Sequence, residues 1–272
     1  MNSDDFGLLE EALPSAKESL VRMRRLIDVS TPPRIAAFGN YNHGKSTLLN
    51  AIIKTDRFKT ADKRQTTDNE EHESDGVIWV DTPGLNADIK REDDEKAMSA
   101  AFEIADYLMI VHNAKAGELD KAELNLYQRL MRQDKNYKAK MILVLTHMEQ
   151  LTEDELKAVR ANIRKQLPDL LLFSVSSTRF LKGVKENKAQ LAANSGIPQL
   201  LDHVHSLKMK VKEKRRNELS RLKQKIMVDM DERKRHLTGE ISQLSDDLEQ
   251  RVARLRLELK RIFTNAHSLL EE

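Results

Sequence analysis

The sequence feature that most constrains this chain is a segment at positions 39–46. It reads Gly-Asn-Tyr-Asn-His-Gly-Lys-Ser and matches the pattern G-x-x-x-x-G-K-[ST]. The apolar residues 34–38 before it are typical of a short buried strand, and residues 46–53 after it have the pattern of an amphipathic helix. In nucleoside triphosphatases the phosphate-binding loop has this pattern and lies between a strand and a helix in the same order. The segment therefore predicts a binding site for a nucleoside triphosphate.

The residue types in this loop explain its spacing. Gly39 and Gly44 have no Cβ, so the backbone is able to curl and point several N–H groups at one anion. The helix that follows adds the positive end of its dipole. Lys45 is expected to reach the β- and γ-phosphates, and the Ser46 hydroxyl to bind Mg²⁺. The predicted nucleotide-binding residues of the loop are Gly39, Asn40, Tyr41, Asn42, His43, Gly44, Lys45, Ser46 and Thr47.

Strand-like and helix-like segments alternate from residue 34 to about residue 206. Apolar runs occur at 77–80, 107–111, 141–145 and 170–175. Charged segments with a helical pattern occur at 93–105, 117–133 and 153–166, and from 197 onward. Apolar strands that alternate with helices predict an α/β fold of three layers, with a mostly parallel sheet covered on both faces. In such folds ligands bind at the carboxyl ends of the strands, where the phosphate-binding loop lies.

Two further segments carry candidate ligands for Mg²⁺ and the γ-phosphate. Asp81 ends the apolar run 77–80 and is followed by Thr-Pro-Gly-Leu, so we expect Asp81 to orient Mg²⁺ and the N–H of Gly84 to approach the γ-phosphate. The polar segment 58–68 has the composition of a mobile loop, in which a threonine can complete the Mg²⁺ shell. Thr67 is the first candidate and Thr66 the second; a plain surface loop is the alternative.

These motifs together resemble those of a known protein class. The run G-N-Y-N-H-G-K-S-T, the pair T-T and the run D-T-P-G-L resemble the translation-factor-related GTPases. The Phe-Gly at the start of the loop and the helix before it are most similar to the dynamin superfamily, over residues 5–210. The resemblance implies Mg²⁺-dependent GTP binding and hydrolysis, stimulated when two nucleotide domains dimerise, in a homodimer or with a partner GTPase chain.

One departure from the family pattern concerns catalysis. Leu85 stands where small GTPases carry the glutamine that orients the attacking water, and a hydrophobic side chain cannot do so. Asn40, Tyr41 and Asn42 are the candidate substitutes, and with Lys45 and Thr67 they complete the predicted catalytic set. Asn42 also falls where Era-like GTPases place an asparagine that binds a monovalent cation. The sequence leaves K⁺ dependence and a simple turn preference of asparagine both open.

A second departure concerns the nucleotide base. Thr146, His147 and Glu149 follow the run 141–145, where the resemblance predicts T-K-x-D with an aspartate that selects guanine. Glu149 keeps two acceptor oxygens and adds a methylene group, so guanine is expected with a changed discrimination against adenine. Ser176 and Ser177 occupy the loop that caps the base in the family.

The flanking segments predict a helical extension. Residues 1–31 are expected to form a helix that packs on the C-terminal arm, residues 32–206 the GTPase domain, and residues 207–272 a helical arm. From 219 to 262 a stripe of apolar residues, interrupted by Arg233, recurs about every 3.6 residues, so the arm needs a helical partner. The arm is expected to be either a coiled coil or a hairpin with a break near 236–240. It is expected to be either a truncated stalk or the short arm of a family member that lacks most of the stalk.

Composition excludes several function classes. The net charge of +2 with 33% charged and 4% aromatic residues disfavours a nucleic-acid-binding domain. Cysteine is absent, so disulfides and cysteine metal sites are excluded, and His72, His112, His147, His203 and His205 show no metal-ligand spacing. Without an apolar run of about 18–20 residues the chain is expected to be cytoplasmic, with peripheral membrane contact through the basic run 208–216 as an alternative to a solvated helix face.

The sequence thus favours a dynamin-like GTPase in which the nucleotide state governs docking of the nucleotide domains and movement of the helical arm. A GTP-binding interaction scaffold with little hydrolysis is one alternative, supported by Leu85 and by the imperfect motif at Glu149. An Era-like ribosome-associated GTPase is the other, although the sequence has no recognisable RNA-binding appendage.

Overall fold

The structure is a computed structural model of the chain. It describes residues 3–28, 30–59, 70–82, 101, 103–133, 138–168 and 170–270. The predicted site residues Thr66, Thr67 and Gly84, the neighbouring Leu85 and most of the expected helix 93–105 lie outside the described residues. The chain forms two units, residues 25–218 and residues 1–24 with 219–272.

A six-stranded sheet forms the centre of the unit 25–218. Its strands are β1 (Arg34–Phe38), β2 (Glu70–Ser74), β3 (Val77–Asp81), β4 (Tyr107–Asn113), β5 (Met141–Thr146) and β6 (Leu171–Ser174). The spatial order is β2-β3-β1-β4-β5-β6, and every neighbouring pair is parallel except β2 with β3. Because β1 lies between β3 and β4, the loop after β1 emerges beside the carboxyl ends of both neighbours.

Helices cover both faces of this sheet. Alternate residues of β1 enter separate cores: Ile35 and Ala37 belong to one, Ala36 and Phe38 to the other. The first core is closed by α3 (Lys45–Ile53), α6 (Ser177–Lys185) and the first turns of α8 (Ile197–Leu270). The second is closed by α4 (Lys121–Gln133) and α5 (Glu153–Gln166). This arrangement confirms the predicted three-layer α/β fold.

Some elements were not visible in the sequence pattern. Strand β2 reads Glu-Glu-His-Glu-Ser and pairs antiparallel with β3 at the sheet edge, with half-buried and exposed residues in alternation. An edge strand with polar side chains on both faces has no apolar pattern to detect. The short helices α6 and α7 (Ala189–Ala193) were also not indicated by the sequence analysis.

A buried ion pair joins α8 to the sheet at the amino ends of the strands. The Arg215 guanidinium donates from Nε to Asp106 Oδ1 at 2.8 Å and from its terminal nitrogen to Asp106 Oδ2 at 2.5 Å. It also donates to the carbonyl of Thr31 at 2.7 Å, and the backbone N–H of Arg34 donates to Asp106 Oδ2 at 2.8 Å. Arg215 belongs to the basic run that the sequence favoured as solvated, but this residue is buried.

The unit formed by residues 1–24 and 219–272 contains α1 (Ser3–Ala12), most of α2 (Lys17–Leu26) and the later part of α8. Phe6, Leu20 and Met23 form a buried cluster with Ile226. Beyond this cluster α8 continues as an unbroken helix through 236–240 to Leu270. Its exposed large apolar residues there include Leu237, Ile241, Leu244, Leu248, Val252, Leu255, Leu259 and Ile262. Among the described residues, no helix combines the length and apolar composition that crossing a bilayer requires.

Candidate functional site

The loop between β1 and α3 has a backbone that depends on its two glycines. A Cβ on Gly39 would clash with the carbonyl oxygen of Val111 in the neighbouring strand β4. Gly44 has a φ of +83°, which favours glycine, and a Cβ there would lie 2.9 Å from Cε1 of His147. The pattern of two glycines therefore reflects two close approaches, one to β4 and one to the residue after β5.

Lys45 is buried at the start of α3 and bends back over the loop. Its Nζ donates to the carbonyls of Gly39 and Asn40, each at 3.0 Å. Burial lowers the pKa of Lys45 to about 8, and the nearby charge of Asp81 opposes this shift. An anionic ligand in the loop would favour the charged amine, so this site is electrostatically suited to phosphate.

Ser46 and Asp81 meet where β1 and β3 end. The Ser46 hydroxyl donates to Asp81 Oδ2 at 2.5 Å, while the buried Oδ1 of Asp81 has no hydrogen-bond partner among the described residues. Burial raises the pKa of Asp81, against the Ser46 hydrogen bond and the charge of Lys45. A hydroxyl and a carboxylate with a spare oxygen are the donor set that Mg²⁺ prefers, so these residues fit the predicted metal.

Thr82 holds the end of β3 against β1, a role that the sequence analysis did not assign. Its hydroxyl donates to the carbonyl of Ala37 at 2.7 Å, and the side chain is buried. This bond lies next to Asp81 and helps to fix the carboxylate relative to the loop. The sequence feature that could have indicated this role is a threonine directly after the acidic residue that ends a strand.

The segment after β5 contacts the second half of the loop. The Thr146 hydroxyl donates to the carbonyl of His43 at 2.7 Å, and Nδ1 of His147 lies 2.9 Å from the same hydroxyl. The backbone of His147 has a φ of +56°, and its ring lies against Gly44. The structure therefore brings together the predicted residues His43, Gly44, Thr146 and His147.

Glu149 lies in a short 3₁₀ turn beside the start of α6. Thr178 donates to its Oε1 at 2.9 Å, and the buried Oε2 has no partner among the described residues. Burial opposes ionisation, but the polar groups of Ser176, the backbone and Thr178 around the carboxylate, with the charge of His147, hold the pKa of Glu149 below its usual value. Glu149 is thus an ionised acceptor with one oxygen available.

Ser176 and Ser177 begin α6 close to Glu149. Ser176 is the N-cap, and its hydroxyl accepts the backbone N–H of Arg179 at 3.1 Å. Its own N–H donates to the carbonyl of Ser195 at 2.8 Å. Ser177 is buried in the first turn. Thr178 and Ser195, which bond to Glu149 and Ser176, were not among the site residues predicted from the sequence.

The remaining loop residues are less enclosed. The carbonyl of Asn40 accepts the N–H of His43 at 3.3 Å in addition to Lys45. Tyr41 is half-buried, as is Thr47 in the first turn of α3, and Asn42 is exposed with a φ of +59°. Asparagine tolerates the left-handed region better than most residues, so backbone geometry accounts for Asn42 without a bound cation.

Comparison with known proteins agrees with this geometry. Residues 34–147 match the family model described as 50S ribosome-binding GTPase. An uncharacterized protein of Acinetobacter baylyi is 38% identical over 211 residues, which cover 77% of this chain and 50% of that protein. GTPase Era of Elusimicrobium minutum is 29% identical over 162 residues, which cover 56% of this chain and 51% of Era.

A search of solved structures finds the same fold. A chain of an oligomerised bacterial dynamin pair, described as sensing and tethering membranes over long range, superposes with a TM-score of 0.54 at 16% identity. The superposition covers 99% of this chain and 51% of the dynamin chain. The chain therefore spans about half the length of the relatives named here.

Proposed function

We propose that this chain, which carries a P-loop GTPase domain, binds GTP with Mg²⁺ and hydrolyses it in the manner of a dynamin-like protein. The observation that carries the proposal is the convergence of Lys45, Ser46 and Asp81 at the carboxyl ends of β1 and β3. An amine with a lowered pKa lies there beside a hydroxyl bonded to a buried carboxylate. This combination suits the phosphates and the metal of a nucleoside triphosphate.

Each of these side chains has a separate task in the proposed reaction. Lys45 stabilises the negative charge that develops on the transferred phosphoryl group. Ser46 and Asp81 would hold Mg²⁺, together with Thr67 from the loop outside the described residues. When bound, Mg²⁺ neutralises charge on the β- and γ-phosphate oxygens. We assign the N–H of Gly84 to the γ-phosphate.

Guanine is the base that Glu149 suits. Guanine presents two N–H donors on the edge where adenine presents an acceptor, so an ionised carboxylate favours guanine. The available Oε2 of Glu149 supports this assignment, and the Thr178 bond to Oε1 limits the freedom of the longer side chain. The ring of His147 covers Gly44, so we assign His147 to the wall of the nucleotide site.

Hydrolysis in this proposal depends on a second nucleotide domain. Leu85 cannot orient the attacking water, so we assign this task to the loop residues Asn40, Tyr41 and Asn42. We propose that docking of two nucleotide domains, in a homodimer or with a partner GTPase chain, orders these residues. Because the left-handed backbone accounts for Asn42, we expect equal turnover in K⁺ and Na⁺.

The later part of α8 is proposed to bind a partner helix. Its apolar residues follow a helical period and are exposed, with Ile241, Leu244 and Leu248 each more than 60% exposed. Lys, Arg, Asp and Glu alternate along the same segment, which favours a helix over an anionic lipid surface. We propose that the nucleotide state changes the contacts of this helical arm.

A binding titration tests the nucleotide assignment. The full chain is titrated with GTP and with ATP, with and without Mg²⁺, beside Ser46→Ala and the exposed control Ser206→Ala. We expect GTP to bind at least ~10-fold more tightly than ATP, because one charged hydrogen bond is worth about 1.5–3 kcal/mol. Ser46→Ala should lose the Mg²⁺ dependence, and the control should retain it. Equal affinity for the two nucleotides would contradict the guanine assignment.

A further inference from the structure

A second polar cluster lies on the far side of the phosphate-binding loop from Asp81. It comprises His43 of the loop, His112 of β4 and Glu123 of α4, called here the His-His-Glu cluster. Nδ1 of His112 is 3.3 Å from Glu123 Oε1, and Nδ1 of His43 is 3.9 Å from the same oxygen. One nitrogen or oxygen of each residue lies within 4.8 Å of the others. Three potential metal ligands therefore converge.

The cluster is withdrawn from solvent. The side chains of His112 and Glu123 are 1% and 2% exposed, and that of His43 is 14% exposed. The two imidazole rings meet edge to face, with centroids 4.9 Å apart. Polar groups buried to this degree need bonding partners, so the contacts of each ring nitrogen are informative.

The hydrogen bonds of His112 leave one nitrogen facing the carboxylate. Its Nε2 lies 3.2 Å from the carbonyl of Gly117, and since a carbonyl only accepts, Nε2 carries a proton. In the neutral ring Nδ1 then presents a lone pair to Glu123 Oε1. A lone pair and a carboxylate oxygen at 3.3 Å repel each other unless a cation, either a proton or a metal ion, lies between them.

The carboxylate of Glu123 is also held by a backbone bond, and a nitrogen of His43 has no bond of its own within the described part of the chain. Glu123 Oε2 accepts the backbone N–H of Asp120 at 3.2 Å, which fixes the plane of the carboxylate and leaves Oε1 directed at the histidines. Nδ1 of His43 is buried and has no hydrogen-bond partner among the described residues. Backbone bonds that orient histidine and carboxylate ligands from behind are typical of metal sites.

We propose that His43, His112 and Glu123 bind a divalent transition metal of the Zn²⁺ class. Two imidazole nitrogens and one carboxylate oxygen suit zinc and disfavour Mg²⁺, which prefers oxygen ligands. Tetrahedral zinc with bonds of about 2.0–2.2 Å places its ligand atoms roughly 3.4 Å apart. The 3.3 Å pair matches this spacing, the 3.9 Å pair is close to it, and the ligand atoms of the two histidines lie within 4.8 Å of each other. Three protein ligands leave the fourth position to water.

Metal binding here would fix one residue of the phosphate-binding loop. His43 immediately precedes Gly44, and its carbonyl already accepts the hydroxyl of Thr146. A metal ion would join this loop residue to β4 and α4 through its side chain as well. All three proposed ligands are side chains of this chain, so metal binding is measurable without nucleotide, whether or not the chain hydrolyses GTP.

Co²⁺ is the probe that tests the proposal, because tetrahedral Co²⁺ has a strong visible absorption and Zn²⁺ displaces it. The full chain, freed of metal with a chelator, should bind one equivalent of Co²⁺ with this absorption. The chain has no cysteine, so thiolates cannot contribute. Glu123→Gln and His112→Gln should each weaken binding at least ~10-fold. The exposed controls Glu118→Gln and His205→Gln should bind as the unaltered chain does.

Two results would overturn the proposal. One is the absence of tetrahedral Co²⁺ absorption in the unaltered chain, which would leave a proton between His112 and Glu123. The other is equal Co²⁺ affinity in the cluster variants and the controls. If the cluster variants fail to fold, imidazole nitrogen resonances of the unaltered chain decide the question. Zn²⁺ should shift those of His43 and His112 and leave that of His205 in place; the opposite pattern would refute the site.

Discussion

Two buried aspartates lie at opposite edges of the same sheet, one where the strands begin and one where the strands end. Their hydrogen bonds show that these two edges are built differently. Asp106, at the amino ends, accepts hydrogen bonds on both oxygens from Arg215 and a further bond from the N–H of Arg34. Asp81, at the carboxyl ends, receives the Ser46 hydroxyl on one oxygen, while the other has no partner among the described residues. Both side chains are less than a tenth exposed.

The difference indicates what each edge does. A buried charge whose bonding capacity is filled within the protein stabilises the fold, and removing one partner exposes the full cost of burying the other. A buried acceptor with a free lone pair lowers stability unless a ligand completes it. Asp106 therefore belongs to the structural edge of the sheet, and Asp81 and Glu149 to the ligand-binding edge.

The largest effect is expected at the structural edge. Asp106→Asn leaves the Arg215 guanidinium buried without its counter-ion, so the free energy of unfolding should fall by about 3–5 kcal/mol. Urea denaturation measures this loss, with the exposed Asp202→Asn as a control that stays within ~0.5 kcal/mol. A loss at Asp106 no larger than that of the control would show that the ion pair does not hold α8 to the strands.

The matched substitution at the other edge should have the reverse profile. Asp81→Asn removes a charged carboxylate whose hydrogen-bonding capacity the protein does not fill. The free energy of unfolding should therefore change by less than about 1 kcal/mol. Affinity for GTP in Mg²⁺ should fall about 10- to 100-fold, because a charged bond worth about 1.5–3 kcal/mol is lost. Calorimetric titration and urea denaturation of the same samples provide both values. A stability loss as large as that of Asp106→Asn would remove the distinction between the edges.

A smaller effect is expected at the base-selecting acceptor. Glu149→Gln replaces the carboxylate proposed to face the guanine N–H donors with an amide, which both donates and accepts hydrogen bonds. The ratio of GTP to ATP affinity should therefore drop about 10-fold. Competition binding with both nucleotides measures the ratio. The exposed Glu153→Gln on α5 is the control and should leave the ratio unchanged. An unaltered ratio in Glu149→Gln would place base selection elsewhere.

The smallest effect is expected for Thr82→Val. This substitution tests whether a residue stabilises the fold because its hydrogen bond is made within the protein, whichever edge of the sheet it lies at. Thr82 lies at the ligand-binding edge, but its hydroxyl is fully engaged with the carbonyl of Ala37. Thr82→Val should therefore destabilise the fold by about 1 kcal/mol, a typical net hydrogen-bond contribution. Thermal unfolding detects a change of this size as a shift of a few degrees. No shift would mean that the Ala37 carbonyl finds another donor.

The sequence predicted the parts of the molecule that depend on local patterns. The phosphate-binding loop is encoded in one short run, and its glycines have the close contacts that make other residues unsuitable. The buried parallel strands were visible as apolar runs. Strand β2 was missed because its charged residues carry no such run, and its pairing with β3 is a tertiary choice.

Contacts between distant segments were beyond the sequence analysis. His43, His112 and Glu123 come together only because β1 and β4 are neighbours and α4 packs over them. Their spacing along the chain gives no metal-ligand signal, and the histidines surveyed in the sequence included His112 but not His43. The burial of Arg215 likewise depends on where α8 meets the sheet, whereas its neighbours in the basic run give it the pattern of a surface residue.

The dependence of GTP turnover on protein concentration shows whether a second nucleotide domain completes the active site. Phosphate release per chain is measured in Mg²⁺ for the unaltered chain, for Lys45→Ala and for the exposed control Lys157→Ala. The account predicts that turnover per chain rises with concentration, is abolished in Lys45→Ala and is unchanged in the control. Binding of GTP without phosphate release at any concentration, or equal turnover in Lys45→Ala, would contradict it.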